Sequence, residues 1–418
     1  MNGTVLFVSL RQLWERKLLN GIAVLGVTLG VLTLITISGI MQGFQVKFLV
    51  NILKVSPHVV IHDKQLRPSP SILARFSDRH VVTQVAHETP SDRQLRINRP
   101  YEIVQELSRM SEVVGAAASL GGTAVLAVGA KQYSVDLRGI DPARQNNVTN
   151  IAQFVEQGSF KALSASADAM LMGAGVAKEL GVKVGDVVRC GAALGPTMSL
   201  KVVGIFDAQI PSIDNRRVYV MLRTAQVLLG KPDIVGQIEI KLRDPDAAPA
   251  MREKLERSLG YDAESWQEQN ANFLALFTMQ NMIINFVVGA ILTVGGFGIL
   301  AIQIMIVLQK TRDIAILRSV GFRRNDILAA FLLQGAIIAS IGAAIGSVGG
   351  HFLVGFLGTL KVHQEGLVRS ETFLVYEDPK FYFYGAGFAL FVGIIASLIP
   401  AVRASRVEPV DVLRGQIG

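Results

Sequence analysis

Residues 310–321 read KTRDIAILRSVG, a short charged segment held between two long apolar runs, 282–308 and 327–357. Each run exceeds the ~20 residues that a helix needs to span the hydrocarbon core of a bilayer. The segment between them therefore sits at a membrane surface. Read as a helix, it repeats Ile314, Leu317 and Gly321 at i, i+3 and i+7 on one side, with Arg312, Asp313 and Arg318 along the boundary. Two roles fit such a helix. It can lie in the headgroup layer with Arg318, Arg323 and Arg324 against anionic lipid, or it can dock its apolar stripe in a groove on a cytoplasmic partner.

Composition sets the class. With 50% hydrophobic residues, 18% charged residues and a mean hydropathy of +0.41 over 418 residues, the chain is too apolar for an ordinary soluble protein. A net charge of +8 raises the question of nucleic acid, but the cations are scattered without an aromatic-interleaved patch, and membrane-flanking cations explain the excess. No nucleic-acid partner is expected. The single cysteine, Cys190, permits no internal disulfide. The six histidines, at 58, 62, 80, 87, 351 and 363, form no zinc-type pair, so no metal site is expected.

Outward from 310–321, two more apolar runs complete a set of four spans: 18–41 and 381–399. The first is longer than a signal-peptide core and ends in no A-x-A-like site, so it reads as an uncleaved span. Before it, Arg11, Arg16 and Lys17 surround Leu10, Leu13 and Trp14, the pattern of an interfacial helix over 1–17. After it, Phe44, Phe48 and Ile52 keep the helical spacing until Ser56-Pro57, which extends the span as a stalk to residue 57. Residues 58–272 contain no spanning run and alternate short strand and helix patterns, an α+β domain outside the membrane. Within it, 113–118, 124–128 and 133–140 are expected strands with Gly129-Ala130 as a tight turn. Residues 100–110, capped by Asn98, and 247–259 are expected helices. The polar segment 63–99 reads as a surface loop. A second stalk and span cover 273–308, the surface helix 309–326, the third span 327–357, a mixed-charge loop 358–380, and a tail 400–418. The N-terminus, 309–326 and the tail hold eleven Lys/Arg, against three in 358–380 with four acids, which places both termini in the cytoplasm.

Several stretches carry a family resemblance. Asp313-Ile314-Ala315-Ile316-Leu317-Arg318-Ser319-Val320-Gly321 resembles the signature between the second and third spans of FtsX-like permeases, the membrane subunits of MacB-type ABC transporters. The run Pro400-Ala401-Val402-Arg403-Ala404-Ser405-Arg406 with Glu408-Pro409 resembles their closing signature. Ser38-Gly39-Ile40-Met41-Gln42-Gly43-Phe44, with its NGF-like turn, and Ser56-Pro57-His58-Val59 resemble the lipoprotein-releasing permeases of the LolC and LolE type. So do Arg138-Gly139-Ile140-Asp141-Pro142 and the helix-then-GD element 173–186, which is also a plain helix capped by Gly181. That family departs from this chain in a long hairpin that grips a periplasmic carrier; here the turn around Leu194, Gly195 and Pro196 is short.

The resemblance implies a membrane all-α fold with four transmembrane helices and a large periplasmic α+β domain inserted between helices 1 and 2, in the bacterial inner membrane. It implies a role for Asp313, Ile314, Leu317, Arg318 and Gly321 in coupling to a cytoplasmic ABC ATPase dimer, with ATP and Mg bound there and no cofactor in this chain. Further implied partners are a second permease copy or paralogue, membrane lipids, and a periplasmic carrier or adaptor at the 194–196 turn. The implied activity is lipoprotein release from the outer leaflet, with acyl chains between the stalks at Met41, Phe44, Phe48, Phe273 and Phe277; interfacial anchoring is the alternative for those five. Efflux of a lipid, peptide or small amphiphile, and an FtsX-like scaffold that activates a cell-wall hydrolase, are the competing readings. No G-x-x-x-x-G-K-[ST] occurs, and Gly230-Lys231-Pro232 is a chance pair, so the phosphates of ATP are not cradled here. No Asp, Glu, Lys or Arg falls in the four expected spans, which argues against an ion relay, and no hydrolase motif points to an enzyme.

The topology has a direct test. In a Cys190→Ser background, cysteines placed in 58–272 or at Val368 should react with an impermeant thiol reagent added to intact cells, and one at Asn325 should not; labelling at Asn325 overturns the orientation.

Overall fold

A single helix, α1, runs unbroken over Lys17–Val55 and stops where Ser56-Pro57 withdraws a backbone donor. The computed structural model describes residues 11, 14, 17–63, 96–365 and 369–408. The expected helix at 1–17, most of the loop 63–99, Val368 and the signature beyond Glu408 lie outside these residues.

The α+β elements follow α1 in the chain: β1 Val59–His62, α2 Pro100–Leu107, β2 Val113–Val128, β3 Lys131–Ile140, α3 Pro142–Gln145, β4 Val155–Gly158, β5 Ala169–Gly173, α4 Ala174–Leu180, β6 Val187–Gly191, β7 Met198–Phe206, α5 Pro211–Asp214, β8 Arg217–Met221, α6 Leu222–Leu228, β9 Gln237–Leu242, α7 Ala248–Leu259, β10 Asp262–Ser265 and α8 Trp266–Gln269. Then come α9 Ala271–Gln309, α10 Thr311–Ser319, α11 Arg324–Thr359, the hairpin β11 Lys361–Glu365 and β12 Arg369–Thr372, and α12 Pro379–Ser405. Among the described residues, helices α1, α9, α11 and α12 are the four that are long and apolar enough to cross a membrane. The chain divides into two compact units: 48–274 with 365–369, and the helical remainder.

In the α+β unit, ten strands form one mixed sheet in the order β10-β1-β9-β2-β3-β8-β5-β7-β4, with β6 pairing to β2 and β7. Its core is conventional burial: Val59, Ile61, Leu120, Leu137, Val218 and Ile240 are sealed from solvent in one cluster, and removing such a side chain costs about 2–5 kcal/mol. The opposite register positions are polar. Glu239 accepts from Ser119 Oγ at 2.7 Å, Gln145 Nε2 at 2.7 Å and Gln237 Nε2 at 2.8 Å, while Arg138 and Arg217 both reach Asp136 at 3.3 Å. The motif Arg138 to Pro142 is thereby explained: an ion-pairing strand residue, then Asp141 accepting from the Ala143 N–H as N-cap, then Pro142 in the first helical turn.

Three expectations are corrected. Strand β2 is continuous through Gly121 and Gly122, because the hairpin partner β3 keeps pairing across them. Asn98 is not a cap; Arg99 holds that position in the left-handed region (φ 49°), and the Asn98 N–H donates instead to Tyr261 Oη at 2.9 Å. Helix α12 does not end at residue 399 but runs through Pro400 to Ser405. The helix 173–186 element is as read, with Gly181 at φ 73° ending α4.

The helical unit is held differently, since lipid tails are as apolar as leucine and give no drive for helices to associate. Small residues let backbones meet: Gly26 packs on Gly295, Gly346 on the Thr28 carbonyl, and Thr28 Oγ1 donates to the Gly342 carbonyl at 3.3 Å.

Asp214 yields a pH prediction. Its carboxylate is sealed off and accepts from the Ala208 and Ile210 N–H groups, yet burial outweighs these bonds and pushes it from 3.8 up to about 7. A raised carboxylate stabilises fully below its unfolded value and loses that stability as pH rises through about 7. His58, which burial and then Lys241 hold down at about 4, acts in the opposite sense over its own window. Asp214→Asn should therefore abolish part of the fall in unfolding temperature between about pH 4 and 7, followed by fluorescence of the buried Trp266 in the full chain; parallel profiles for both proteins would sink this assignment.

Candidate functional site

Three places inherit the residues singled out in the sequence. The first is α10. Lys310 pairs with Asp313 at 3.0 Å, the Arg318 guanidinium donates to the Val407 carbonyl, and Gly321 turns the chain at φ 111°. Ile314 and Ala315 are buried in the helical core and Leu317 is half-buried against it. Of the stripe expected to meet a partner, Ile314 and Leu317 thus face inward, while Gly321 is exposed. What faces out is Ile316, 46% exposed, and Val320, 77% exposed, four residues apart on one face. The segment carries two apolar stripes, and only the neighbours decide which is covered.

The second place is the set of residues expected to form an acyl groove, which are divided between the two units. Phe48, 1% exposed, packs against Phe273 with ring centroids 5.0 Å apart and planes tilted by 57° in the α+β unit. Phe44 and Phe277 meet edge-on at 6.1 Å in the helical unit, and the Gln280 amide contacts the Met41 sulfur. These rings fill their space with each other, and Phe48 has no surface left to offer a ligand. Of the five, Met41 alone lines the cavity that the helical unit does contain, about 770 Å³ between α1, α9 and α12.

That cavity has two kinds of wall. Phe381, Phe383, Tyr384, Phe388 and Phe391 on α12 present aromatic surface, while Gln42 on α1 and Asn281 and Asn285 on α9 present amides. Gln45 Nε2 donates to Asn281 Oδ1 at 3.1 Å, which orients that amide. Neither wall was singled out from the sequence, although both carried a signal: aromatics at helical spacing, and amides at i, i+4 inside apolar runs. The motif Ser38 to Phe44 lies within α1 rather than at a turn. Its glycines admit the strap Leu374 to Tyr376, whose Tyr376 N–H donates to the Gly39 carbonyl at 2.9 Å; a Cβ at Gly43 would collide with the Leu374 carbonyl.

The third place is the turn between β6 and β7. Leu194 stands 80% exposed at its tip, and Gly195 packs on the Leu228 carbonyl at the end of α6. The motif Ser56 to Val59 has a structural role: the His58 N–H donates to Ile240 O at 2.8 Å, its carbonyl accepts from Trp266 N–H at 2.9 Å, and Nδ1 accepts from Leu242 N–H at 3.2 Å. Burial pushes the Cys190 thiol up to about 11, which leaves it inert.

Four spanning helices, a cavity open at the side of the bundle and a large α+β unit define a multi-pass membrane protein with a transport-type architecture. The chain belongs to the MacB-type, FtsX-like family of ABC transporter permeases: the MacB-like periplasmic core domain matches residues 21–258 and the FtsX-like permease C-terminal region matches 285–409. It is 27% identical to the lipoprotein-releasing system transmembrane protein LolC of Xylella fastidiosa strain Temecula1, over 99% of this chain and 95% of that one. It is 24% identical to LolE of Haemophilus influenzae, covering 93% and 92%, and 23% identical to the macrolide export ATP-binding/permease protein MacB of Agrobacterium fabrum, covering 96% and 59%. Among solved structures, the periplasmic region of MacB from Actinobacillus actinomycetemcomitans is similar over 54% of this chain and 97% of that one, at 14% identity and a TM-score of 0.34.

The two faces of α10 separate by mutation. Ile314→Asp buries a charge in the bundle and should lower its stability by several kcal/mol, whereas Val320→Asp should leave the melting temperature unchanged and weaken capture of the cognate ATPase. Equal loss of ATPase capture by Val320→Asp and wild type, that is none, would return the exposed face to the headgroup layer.

Proposed function

We propose that this permease lifts lipid-anchored cargo, a lipoprotein above all, out of the outer leaflet of a bacterial inner membrane. The observation that carries the reading is the cavity: about 770 Å³ is within the roughly 300–1,000 Å³ of ligand sites, and its aromatic wall and amide wall suit an acyl chain joined to a polar linkage. Similarity to LolC over nearly the whole chain supports the choice of cargo. In this reading both termini and α10 are cytoplasmic and the α+β unit is periplasmic, in line with the Lys/Arg bias.

Two permease subunits, identical or paired with a paralogue, engage a dimer of ATPase subunits that bind ATP and Mg. The exposed Ile316 and Val320 meet the ATPase, and its closure moves α10 and the helices attached to it. The Leu194 turn, short and braced, offers a periplasmic carrier or adaptor one apolar side chain rather than a long hairpin. Similarity to MacB favours efflux of a smaller amphiphile as the second reading.

The two readings part on what is bound. Purified in mild detergent with its ATPase, the wild-type complex should retain triacylated protein, and Phe388→Asn should lower that recovery, because burial of one ring contributes on the order of 1.5–3 kcal/mol. Recovery of free lipid or small amphiphile alone would favour efflux, and equal recovery from Phe388→Asn and wild type would remove cargo from this cavity.

A further inference from the structure

Inside the helical unit, well away from the cavity walls, three side chains that have no place in an apolar core are fully buried: Gln303 on α9, Gln334 on α11 and Ser397 on α12. Ser397 is accounted for, its hydroxyl donating to the Gly393 carbonyl at 2.7 Å. The amides are not. Gln303 Nε2 reaches the Phe331 carbonyl only at 3.4 Å, Gln303 Oε1 finds no partner, and neither Nε2 nor Oε1 of Gln334 finds one. Pro400, buried within α12, adds a further acceptor, because it has no N–H to give to the carbonyl of Ala396. Gly335, next to Gln334, packs directly on Ser397, which brings α11 against α12 within a turn of that proline.

Polar atoms stranded in a hydrocarbon environment are costly, and helices that carry a proline there recover the lost bond from side chains or water. A buried water needs two to four polar partners, and this cluster supplies both donors and acceptors. We propose that Gln303, Gln334 and the Ala396 carbonyl above Pro400 hold ordered water, and that this hydrated break is the hinge about which the end of α12 moves together with α10.

The packing on either side of the break supports a hinge there. Above it α12 is clamped: Gly393 packs on Ala339 and Ile299, and Gly296 on Val392. Below it, Ala401 and Ala404 share a core with Ile314, the Arg318 guanidinium holds the Val407 carbonyl, and Arg324 approaches Glu408 at 3.7 Å. The segment 401–408 is thus fastened to α10 through Ile314 and Arg318, with one further contact to Arg324 at the very start of α11, and joined to the clamped part of α12 through the proline that interrupts the helix ladder. A proline is where a helix bends most readily. The hydration and the hinge stand on this geometry alone; their use by an ATPase rests on the function proposed above.

The experiment is hydrogen–deuterium exchange on the full chain in lipid nanodiscs. Helix ends fray in any case, so the deciding readout is the difference between wild type and the near-isosteric double variant Gln303→Met/Gln334→Met. Expelling the water should slow exchange in peptides covering 396–405 by about tenfold, the worth of one hydrogen bond, with 381–392 unchanged. Pro400→Ala, which restores the missing N–H, should slow the same peptides and serves if the double variant does not fold. Unchanged exchange in both variants overturns the proposal, including the case in which the amides simply bond to each other in a dry core. In the assembled complex, Pro400→Ala should lower cargo released per ATP hydrolysed while ATPase association is kept; full release per ATP would leave a hydrated site but overturn the hinge. Failure of any ATPase to associate counts against the proposed function and not against the hydrated break, which the exchange measurement decides.

Discussion

Inside a bilayer no water is at hand to satisfy a backbone N–H or C=O, and the rest of this structure depends on that constraint. It forces the spanning segments into long unbroken helices, α1 and α9 at 39 residues each and α11 at 36. It also removes the hydrophobic drive for those helices to associate. What remains is close approach, so the bundle is organised by its small residues, with Gly335 on Ser397, Gly393 on Ala339 and Gly26 on Gly295 among the places where helices meet. Anything polar in such a bundle is there against a penalty. The amides of Gln42, Asn281 and Asn285, and those of Gln303 and Gln334, are where chemistry other than packing has to be sought.

The α+β unit obeys the ordinary rules of water. One face of its sheet buries aliphatic side chains, and the other carries a closed network around Glu239, Asp136 and two arginines. Two of the quoted motifs, 56–59 and 138–142, have their explanation there: the first ties the end of α1 to β9 and to the start of α8, and the second supplies an ion pair and a capped turn. Neither needs a ligand to account for it.

For a permease the division of labour follows from the same physics. A stiff helix transmits displacement, a small-residue interface lets helices slide or tilt as packed bodies, and a proline or an unsatisfied amide locates the points at which they give. The helical unit also holds a cavity walled by aromatic side chains on α12 and by amides on α1 and α9. On α10, Ile316 and Val320 leave an apolar face exposed.

The four spans, the α+β unit and the surface helix were legible in the sequence, because span length is fixed by bilayer thickness and strand or helix by the period of apolar residues. The family was legible in motifs whose spacing survives divergence. Which face of α10 is covered was not, since residues 314, 317 and 321 and residues 316 and 320 make two stripes and periodicity ranks neither. Nor was the fate of Phe48 and Phe273, which the family resemblance set beside a groove and the tertiary structure packed ring against ring. The apolar run ends at Ile399, yet the helix continues through Pro400 to Ser405, because the neighbouring helices clamp α12 just above the proline. Local sequence decides what each segment is, whereas the contents of a cavity, the direction of a face and the tolerance of a break depend on residues far away in the chain, brought near only by packing.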